Sequence, residues 1–378
     1  MPALIAASAV RTCFGTGAQT FARLLHRACG TGPLRHGNPE RLNVFAGYHA
    51  GSDDPNQPFR AGRLLAECVA EASGQAGLDT ARERVVVLVG TGLRELSAVE
   101  EWALAGSRFP VRNLHFGDVV RAALPGVHDV VTLSNACSGG GHALALAQDL
   151  IELGEADAVV ACGTDAMTQS MLAMIGRVAT APTARVRPFD RDRDGVLLGE
   201  GAAAVVVAQP GRPGRPLARL AGTGLSCDAY HETAPDVEGI CRSMRDAFER
   251  ADRPPSMVDL VVAHGTGTAL NDPVECAALR KVVVSAGGDP LITAVKGSIG
   301  HTSGTAALVN VDVALRCLAQ GVVPPVSGLH DVLDEGVGLR FVTGAPARLR
   351  PTLVQANAFG FGGVNAVALL EPATRETA

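Results

Sequence analysis

The sequence predicts a layered α/β fold built from two copies of one unit. Fully apolar runs such as residues 85–89 and 202–208 alternate with segments of helical period, the pattern of strands covered on both faces. The same elements recur in the same order in the second part of the chain. Between the two parts lies Gln209-Pro-Gly-Arg-Pro-Gly-Arg-Pro216, which has nothing apolar to pack and is punctuated by Pro and Gly. The expected organisation is therefore a first half, 1–208, a linker, 209–216, and a second half, 217–378.

The elements follow in order. Residues 3–10 form a short apolar strand, and 19–29 have helical periodicity stopping at Gly30. Residues 31–58 are rich in Gly, Pro, Asn and Asp and read as surface loop. An amphipathic helix is expected over 60–76, a buried strand over 85–89 running into Gly90-Thr-Gly92, and a helix over 96–104. The run Val130-Val-Thr-Leu-Ser-Asn-Ala-Cys137-Ser-Gly-Gly-Gly is a strand, a sharp elbow and a helix that ends near Gly154. Residues 156–162 make another strand, 167–178 a helix or a pocket-lining loop, 187–195 a charged turn and 202–208 the closing strand. In the second half 217–222 answers the opening strand, 239–251 the helix at 60–76, and 258–267 the strand that runs into Gly-Thr-Gly. Residues 299–308 answer the Cys137 helix and 365–370 the closing strand.

Composition removes several classes of function. The chain has 378 residues, 47% of them hydrophobic, enough for a large core. A net charge of −5 and only 4% aromatic residues disfavour nucleic-acid binding. The nine cysteines form no C-x-x-C pair, which argues against a structural zinc and for reduced thiols in a cytoplasmic protein. No apolar run reaches membrane-spanning length and no signal peptide is expected. Gly90-Thr-Gly92 lacks the third glycine of a dinucleotide fingerprint. The Asp190–Asp194 charges lack the spacing of an EF-hand loop.

Cys137 is expected at a helix start, where unpaired N–H groups and the positive dipole end favour a thiolate. By itself the same stretch reads better as a buried free thiol at a strand–helix junction. The duplication changes the balance, because equivalent helix starts should face each other and bring His301 towards Cys137.

Four segments then align: Asn135-Ala-Cys137-Ser-Gly-Gly, Ala263-His264-Gly-Thr-Gly-Thr268, Lys296-Gly-Ser-Ile-Gly-His301 and Asn357-Ala-Phe-Gly-Phe361-Gly-Gly-Val-Asn365. With Arg187-Pro-Phe-Asp190, the Gly-Glu-Gly-Ala202 run and Asp228-Ala-Tyr-His-Glu-Thr233, the chain resembles the β-ketoacyl-acyl-carrier-protein synthases of the KAS I/II class, within the thiolase superfamily. The resemblance extends over nearly the whole chain. It implies a thiolase-like fold in which two duplicated α/β halves form a five-layered α-β-α-β-α sandwich. It also implies a ketosynthase that condenses an acyl group, held on Cys137, with a malonyl-type extender by decarboxylative Claisen chemistry in fatty-acid or polyketide biosynthesis.

What the resemblance implies for single residues is specific. Cys137 matches the nucleophile, its thiolate supplied by the helix dipole without a dedicated base. The N–H groups of Cys137 and Phe361 match the oxyanion hole, and the Phe361 ring matches a gate. His264 and His301 match neutral donors to the malonyl thioester; one of the two also assists decarboxylation, and the sequence does not say which. Lys296 and Glu275 match an ion pair beside the site. Thr266 and Thr268 match pantetheine-binding hydroxyls. Thr233 is a further candidate, for which turn capping is an equal reading. No metal and no resident cofactor is implied; substrates arrive on the phosphopantetheine arm of an acyl carrier protein. The expected assembly is a homodimer, or a heterodimer with a ketosynthase-like subunit.

The chain departs from the family pattern in the approach to Cys137 (111–130), at 167–187 and at the linker, all of which look trimmed, and in carrying Asn135 where a threonine is usual. These departures point to a specialised pathway. Two other readings keep the fold: a non-condensing acyltransferase, and a partner subunit that shapes the pocket of another synthase. The complete set of Cys137, His264, His301 and Lys296 argues against both.

Overall fold

The computed structural model describes residues 2–51, 54, 57–179, 181–212 and 214–373. Ten principal strands set the architecture. They are β1 (Ala3–Thr12), β2 (Val85–Gly90), β3 (Asp129–Leu133), β4 (Ala158–Asp165), β5 (Gly201–Ala208), β6 (Ala218–Cys227), β7 (Leu260–Val262), β8 (Leu291–Thr293), β9 (Val354–Gly360) and β10 (Val364–Pro372). In space their order is β8-β7-β9-β10-β6-β1-β5-β4-β2-β3, and the short strand Arg340–Phe341 extends the β8 edge. Outward from the centre, the first half reads 1-5-4-2-3 and the second 6-10-9-7-8, each strand displaced by five in number.

The pairing directions repeat as well. In the first half β1–β5 and β5–β4 are antiparallel, while β4–β2 and β2–β3 are parallel. In the second half β6–β10 and β10–β9 are antiparallel, while β9–β7 and β7–β8 are parallel. The two halves join where β1 meets β6, with Ile5 opposite Ala218. The stretch 209–216 holds no helix or strand among its described residues.

Five helices complete the layers: α1 (Arg60–Ala76), α2 (Gly139–Glu152), α3 (Val237–Ala251), α4 (Asn271–Val282) and α5 (Ala306–Gln320). Alternation along β2 shows how a fully apolar strand serves two layers. Val86 and Leu88 face a core shared with Leu144 and Ile151 of α2 and Leu308 and Val311 of α5. Val85, Val87 and Val89 face Leu65, Cys68 and Val69 of α1. Val261 of β7 likewise faces α3 and α4, while its neighbours Leu260 and Val262 face the central core. The stack is thus α1, first-half strands, α2 with α5, second-half strands, and α3 with α4. Every residue of α5 from Ala306 to Leu315 is buried, as a helix between two sheets must be.

Glycine makes the central layer possible. A Cβ at Gly90 would lie 2.2 Å from the Gly139 backbone, and one at Gly140 would lie 2.7 Å from the Gly304 carbonyl. The run of small residues after Cys137 therefore lets α2 pack directly on β2 and on the start of α5.

The expectation for 31–58 fails in part. Its residues 52, 53, 55 and 56 lie outside the described residues. The rest holds a β-pair, Gly32–Pro33 with Ala46–Gly47, and a short helix, Pro39–Leu42. Leu34, Leu42, Val44 and Tyr48 pack on Met167, Leu172 and Leu198. The turn-forming residues were legible, but these four spaced apolar side chains have a local core of their own. The segment expected as helix or loop at 167–178 is a helix, Gln169–Val178, capped by the Thr168 hydroxyl. Among the described residues no helix is long and apolar enough to cross a membrane.

Candidate active site

Two elbows meet at the pseudo-twofold. After β3 the chain turns through Ala136 at φ 47°, makes the 3₁₀ turn Ala136–Ser138 and enters α2. In the second half Ser303, at φ 49°, opens the turn Ser303–Thr305 that enters α5. Gly304 is therefore the counterpart of Cys137. His301 lies three residues ahead of that elbow, not at a helix start as expected from the duplication. Left-handed backbone at a residue with a side chain costs about 1–3 kcal/mol, and here it occurs at equivalent places in both halves.

Cys137 is half-buried at its elbow. Its backbone nitrogen lies 3.2 Å from where a Cβ of Gly360 would be, so the β9–β10 turn closes over the sulfur. Burial pushes the thiol up to about 11; Lys296 opposes this, the Asp165 charge adds to it, and the N–H groups of Phe361 and of Cys137 itself bond the sulfur and lower it. Burial is the largest of these influences and holds the resting group towards the thiol. The N–H groups of Cys137 and Phe361 are the two expected to form an oxyanion hole. The Phe361 side chain is 43% exposed, at the mouth of the turn.

His264 follows β7 and is held on both backbone faces. Its N–H donates to Glu275 Oε1 at 2.8 Å, and its carbonyl accepts from Lys296 Nζ. Lys296 Nζ also lies 3.3 Å from His264 Nδ1. An ammonium only donates, so Nδ1 must accept and the ring proton sits on Nε2. His264 and His301 meet edge to face, their ring centroids 5.4 Å apart. His301 is anchored by its backbone to Leu197 and Gly199, and its Nδ1 is buried without a partner. Burial first, then the Lys296 charge, hold both imidazoles well below the usual histidine range, with His301 adding to the effect on His264. Both rings are neutral at physiological pH.

Lys296 is 1% exposed, and burial lowers it to about 8, against the raising influence of Glu275, Cys137 and Asp272. The expected Lys296–Glu275 ion pair is not formed. Glu275 instead accepts from the N–H groups of His264 and Gly265, from Asn357 Nδ2 at 2.9 Å and from Asn271 Nδ2 at 3.5 Å. Its oxygens are taken by backbone and amide donors, so lysine and glutamate act on opposite sides of one peptide, that of His264. Burial, opposed by these bonds, raises the Glu275 carboxyl.

Thr266 and Thr268 share a hydroxyl contact of 2.9 Å inside the turn after His264. Thr268 also accepts the Asn271 N–H, and Asp272 accepts the N–H groups of Thr266 and Gly267. These hydroxyls brace the turn, and Thr268 remains half-buried beside the site. Thr233 is exposed on a rim loop, tied to the Phe361 turn through the bond from the Gly362 N–H to the Glu232 carbonyl. It stands outside the buried cluster.

Sequence reasoning missed Asp272, Asn357 and Asp165. Asp272, in the first turn of α4, and Glu275 lie three apart, a spacing that puts two carboxylates on one face and could have signalled the pair. Asn357 sits inside a quoted motif. Asp165 ends an apolar strand, where a lone acid is the signal.

His36, His49 and Glu200 bring donor atoms within 4.8 Å of one another, the arrangement closest to a metal set among the described residues. Arg60 Nε and Nη2 lie 3.3 Å from Glu200 Oε2, and the N–H groups of Ala50 and Met167 take up the two oxygens. His49 Nε2 accepts the Arg35 N–H, leaving the proton on Nδ1 towards Glu200. The cluster is organised as an ion pair, the Glu200 carboxylate bonded by Arg60, His36 and two backbone N–H groups.

The model of the β-ketoacyl synthase N-terminal domain matches residues 56–210, and that of the β-ketoacyl synthase C-terminal domain matches 217–330. The chain is 31% identical to 3-oxoacyl-[acyl-carrier-protein] synthase 2 of Coxiella burnetii, over 80% of this chain and 74% of that one. It is 35% identical to nodulation protein E of Rhizobium leguminosarum bv. trifolii, over 63% and 60%. Among solved structures, the ishigamide ketosynthase/chain length factor superimposes with a TM-score of 0.88 at 28% identity, covering 99% of each chain. A ketosynthase in complex with its type II polyketide-synthase acyl carrier protein shares the fold, with a TM-score of 0.86 at 20% identity, over 98% and 99%.

Proposed function

Since the chain belongs to the β-ketoacyl synthase family, we propose that its condensation runs through an acyl-Cys137 thioester and a malonyl-type enolate stabilised by His264 and His301. The protein is a ketosynthase, an acyltransferase of the thiolase fold. The observation that carries the residue assignment is the Lys296–His264 contact, which fixes a neutral imidazole with its proton on Nε2 beside a second neutral imidazole.

In the first step Cys137 sulfur attacks the carbonyl of a carrier-bound acyl thioester. The oxyanion is met by the N–H groups of Cys137 and Phe361, donors fixed before charge develops. The carrier's pantetheine thiol leaves with the proton that the Cys137 thiol gives up, so charge balances. In the second step a malonyl-type thioester loses CO₂. The electron pair moves into the thioester, and the enolate oxygen accepts hydrogen bonds from His264 and His301. The enolate carbon attacks acyl-Cys137, the carbon–sulfur bond breaks, and the sulfur recovers a proton. Lys296 keeps His264 in the donor tautomer, and Glu275 holds the same residue's backbone. Thr266, Thr268 and the rim residue Thr233 line the pantetheine's approach in this reading, and the Phe361 ring gates it.

The two halves, 1–208 and 217–378, each supply one side of this site in the reading, joined by 209–216. The enzyme works in the cytoplasm, within a specialised fatty-acid or polyketide pathway. Its substrates ride on an acyl carrier protein, and it binds no resident cofactor. A second copy or a ketosynthase-like subunit pairs with it. Two features support such a partner: β3 leaves one edge open, and Trp102, Leu104 and Val111 are 58%, 75% and 73% exposed nearby in sequence.

Intact-protein mass spectrometry after exposure to a panel of acyl carrier proteins tests the first step. An acyl adduct that maps to Cys137 and is lost in Cys137→Ala supports it. Adducts elsewhere, or none with any donor, would reject it.

A further inference from the structure

The pseudo-twofold that relates the two elbows leaves one of them open and the other filled. At the first, the Cys137 N–H and the Phe361 N–H face the nucleophile's sulfur. At the second, the Gly304 N–H donates to Asp165 Oδ2 at 2.6 Å. The Gly92 N–H donates to the same oxygen, and the Leu93 N–H and Thr91 hydroxyl donate to Oδ1, each at 2.8 Å. Asp165 ends β4, the counterpart of β9, whose end at Gly360 closes over Cys137. We propose that Asp165 is a positioning residue: its carboxylate occupies the counterpart of the Cys137 anion hole, ties the two elbows together and leaves only the Cys137 turn open to substrate.

Two contacts make the tie direct. A Cβ at Gly92 would lie 2.4 Å from Ser303 Oγ and 3.5 Å from the Ala136 carbonyl carbon, so the 91–93 loop is wedged between both elbows. Asp165 holds that loop by three bonds and the second elbow by one. It is 1% exposed. Burial raises this carboxyl, and the four donors oppose that rise. Each oxygen receives two of them, and a protonated carboxyl would turn an O–H against two, so the bonded form is the anion. The negative charge faces the positive end of α5 and is offset there, whereas the positive end of α2 remains available to the sulfur.

The charge also reaches the nucleophile. Asp165 raises the Cys137 thiol, in opposition to Lys296. His264 and His301 are neutral. On the far side Glu95 feels the Asp165 charge while bonding the Gly62 N–H. Asp165 thus disfavours the thiolate in the resting site, which slows adventitious alkylation and oxidation of a half-buried nucleophile.

The test is the pH dependence of Cys137 alkylation by iodoacetamide, read by mass spectrometry on full-length protein; it requires no condensation, so it stands apart from the test of the acyl-enzyme. In Asp165→Asn, which keeps the shape and removes the charge, the midpoint of the alkylation profile moves down by about one pH unit. A loss of packing alone has no reason to move it in that direction. Thr91→Val removes one bond and keeps the charge, so its midpoint stays or rises while kcat falls with little change in KM. An unchanged or higher midpoint in folded Asp165→Asn overturns the inference. So does a lower midpoint in Thr91→Val, which decides the matter even if Asp165→Asn does not fold.

Discussion

Replacing Lys296 by methionine probes the site at its most connected point. Methionine matches the length of the stem and removes the ammonium. Three effects then add. The donor to His264 Nδ1 disappears, so the imidazole proton is free to leave Nε2, and the ring can present a lone pair where the enolate needs a donor. The His264 carbonyl loses its second anchor. The charge that holds both histidines low and opposes the rise of Cys137 is gone, so the thiol climbs above its present value of about 11. Loss of one oriented donor at a developing oxyanion costs about 10²–10³ in kcat, and the expected fall in decarboxylation rate lies in that range or above. The wild-type profile should carry a descending limb near pH 8, because Lys296 deprotonates there. The sign follows from the group: below that pH lysine is a cation and His264 is fixed, and above it the amine is neutral. Single-turnover release of labelled CO₂ across pH 6–10 measures both effects. A Lys296→Met protein that keeps more than a third of the wild-type rate, or a wild-type rate that is flat through pH 8, would refute this role for the lysine.

Other consequences can be checked in the same preparation. Glu275→Gln puts an amide against the N–H groups of His264 or Gly265; decarboxylation should fall more than tenfold while Cys137 acylation by an acyl carrier protein stays within a factor of a few, and equal loss of both steps would contradict the assignment. Ala136→Val places a β-branched residue at φ 47° and should lower unfolding stability by about 1–3 kcal/mol in denaturant melts, whereas Ala136→Gly should not destabilise. Glu95 is 2% exposed, and burial raises its carboxyl to about 7 against the opposing Gly62 bond. Its folded value exceeds the unfolded one, so its contribution to stability is complete below about pH 4.5 and is lost as pH rises through 7. Glu95→Gln should remove that slope and stabilise the protein at pH 8 by up to about 3 kcal/mol; an unchanged slope in urea melts would show the group is not the source.

The duplicated topology was legible because the opening strand and the runs at 85–89 and 202–208 each have an apolar counterpart in the same order in the second half. Val85–Gly90 and the shorter Leu260–Val262 differ in length, yet both run into a glycine-flanked threonine. The His264 and Lys296 neighbourhoods were legible for a similar reason: chemistry-bearing residues stand at strand ends beside glycines, where backbone can approach a ligand. Less was legible where partners come from distant segments. Nothing local says that Glu275 is taken up by Asn357 and two N–H groups instead of by Lys296. Nothing local says that burial pushes the Cys137 thiol up. The 31–58 segment misled because turn residues dominate its composition, while four spaced apolar side chains decide its burial. Asp165 was passed over because a single acid after seven apolar or small residues reads as the end of a strand; only the fold shows the second elbow that it fills.

The central claim is that one acyl group on Cys137 is consumed by one decarboxylated extender. Protein preloaded with an acyl chain can be mixed with malonyl carrier protein labelled at its free carboxyl, and CO₂ release followed alongside the intact mass. The mechanism predicts one labelled CO₂ for each acyl adduct lost, with a β-ketoacyl product on the carrier and free Cys137 regained. Loss of the adduct without CO₂, with the acyl chain transferred unchanged to another acceptor, would contradict it.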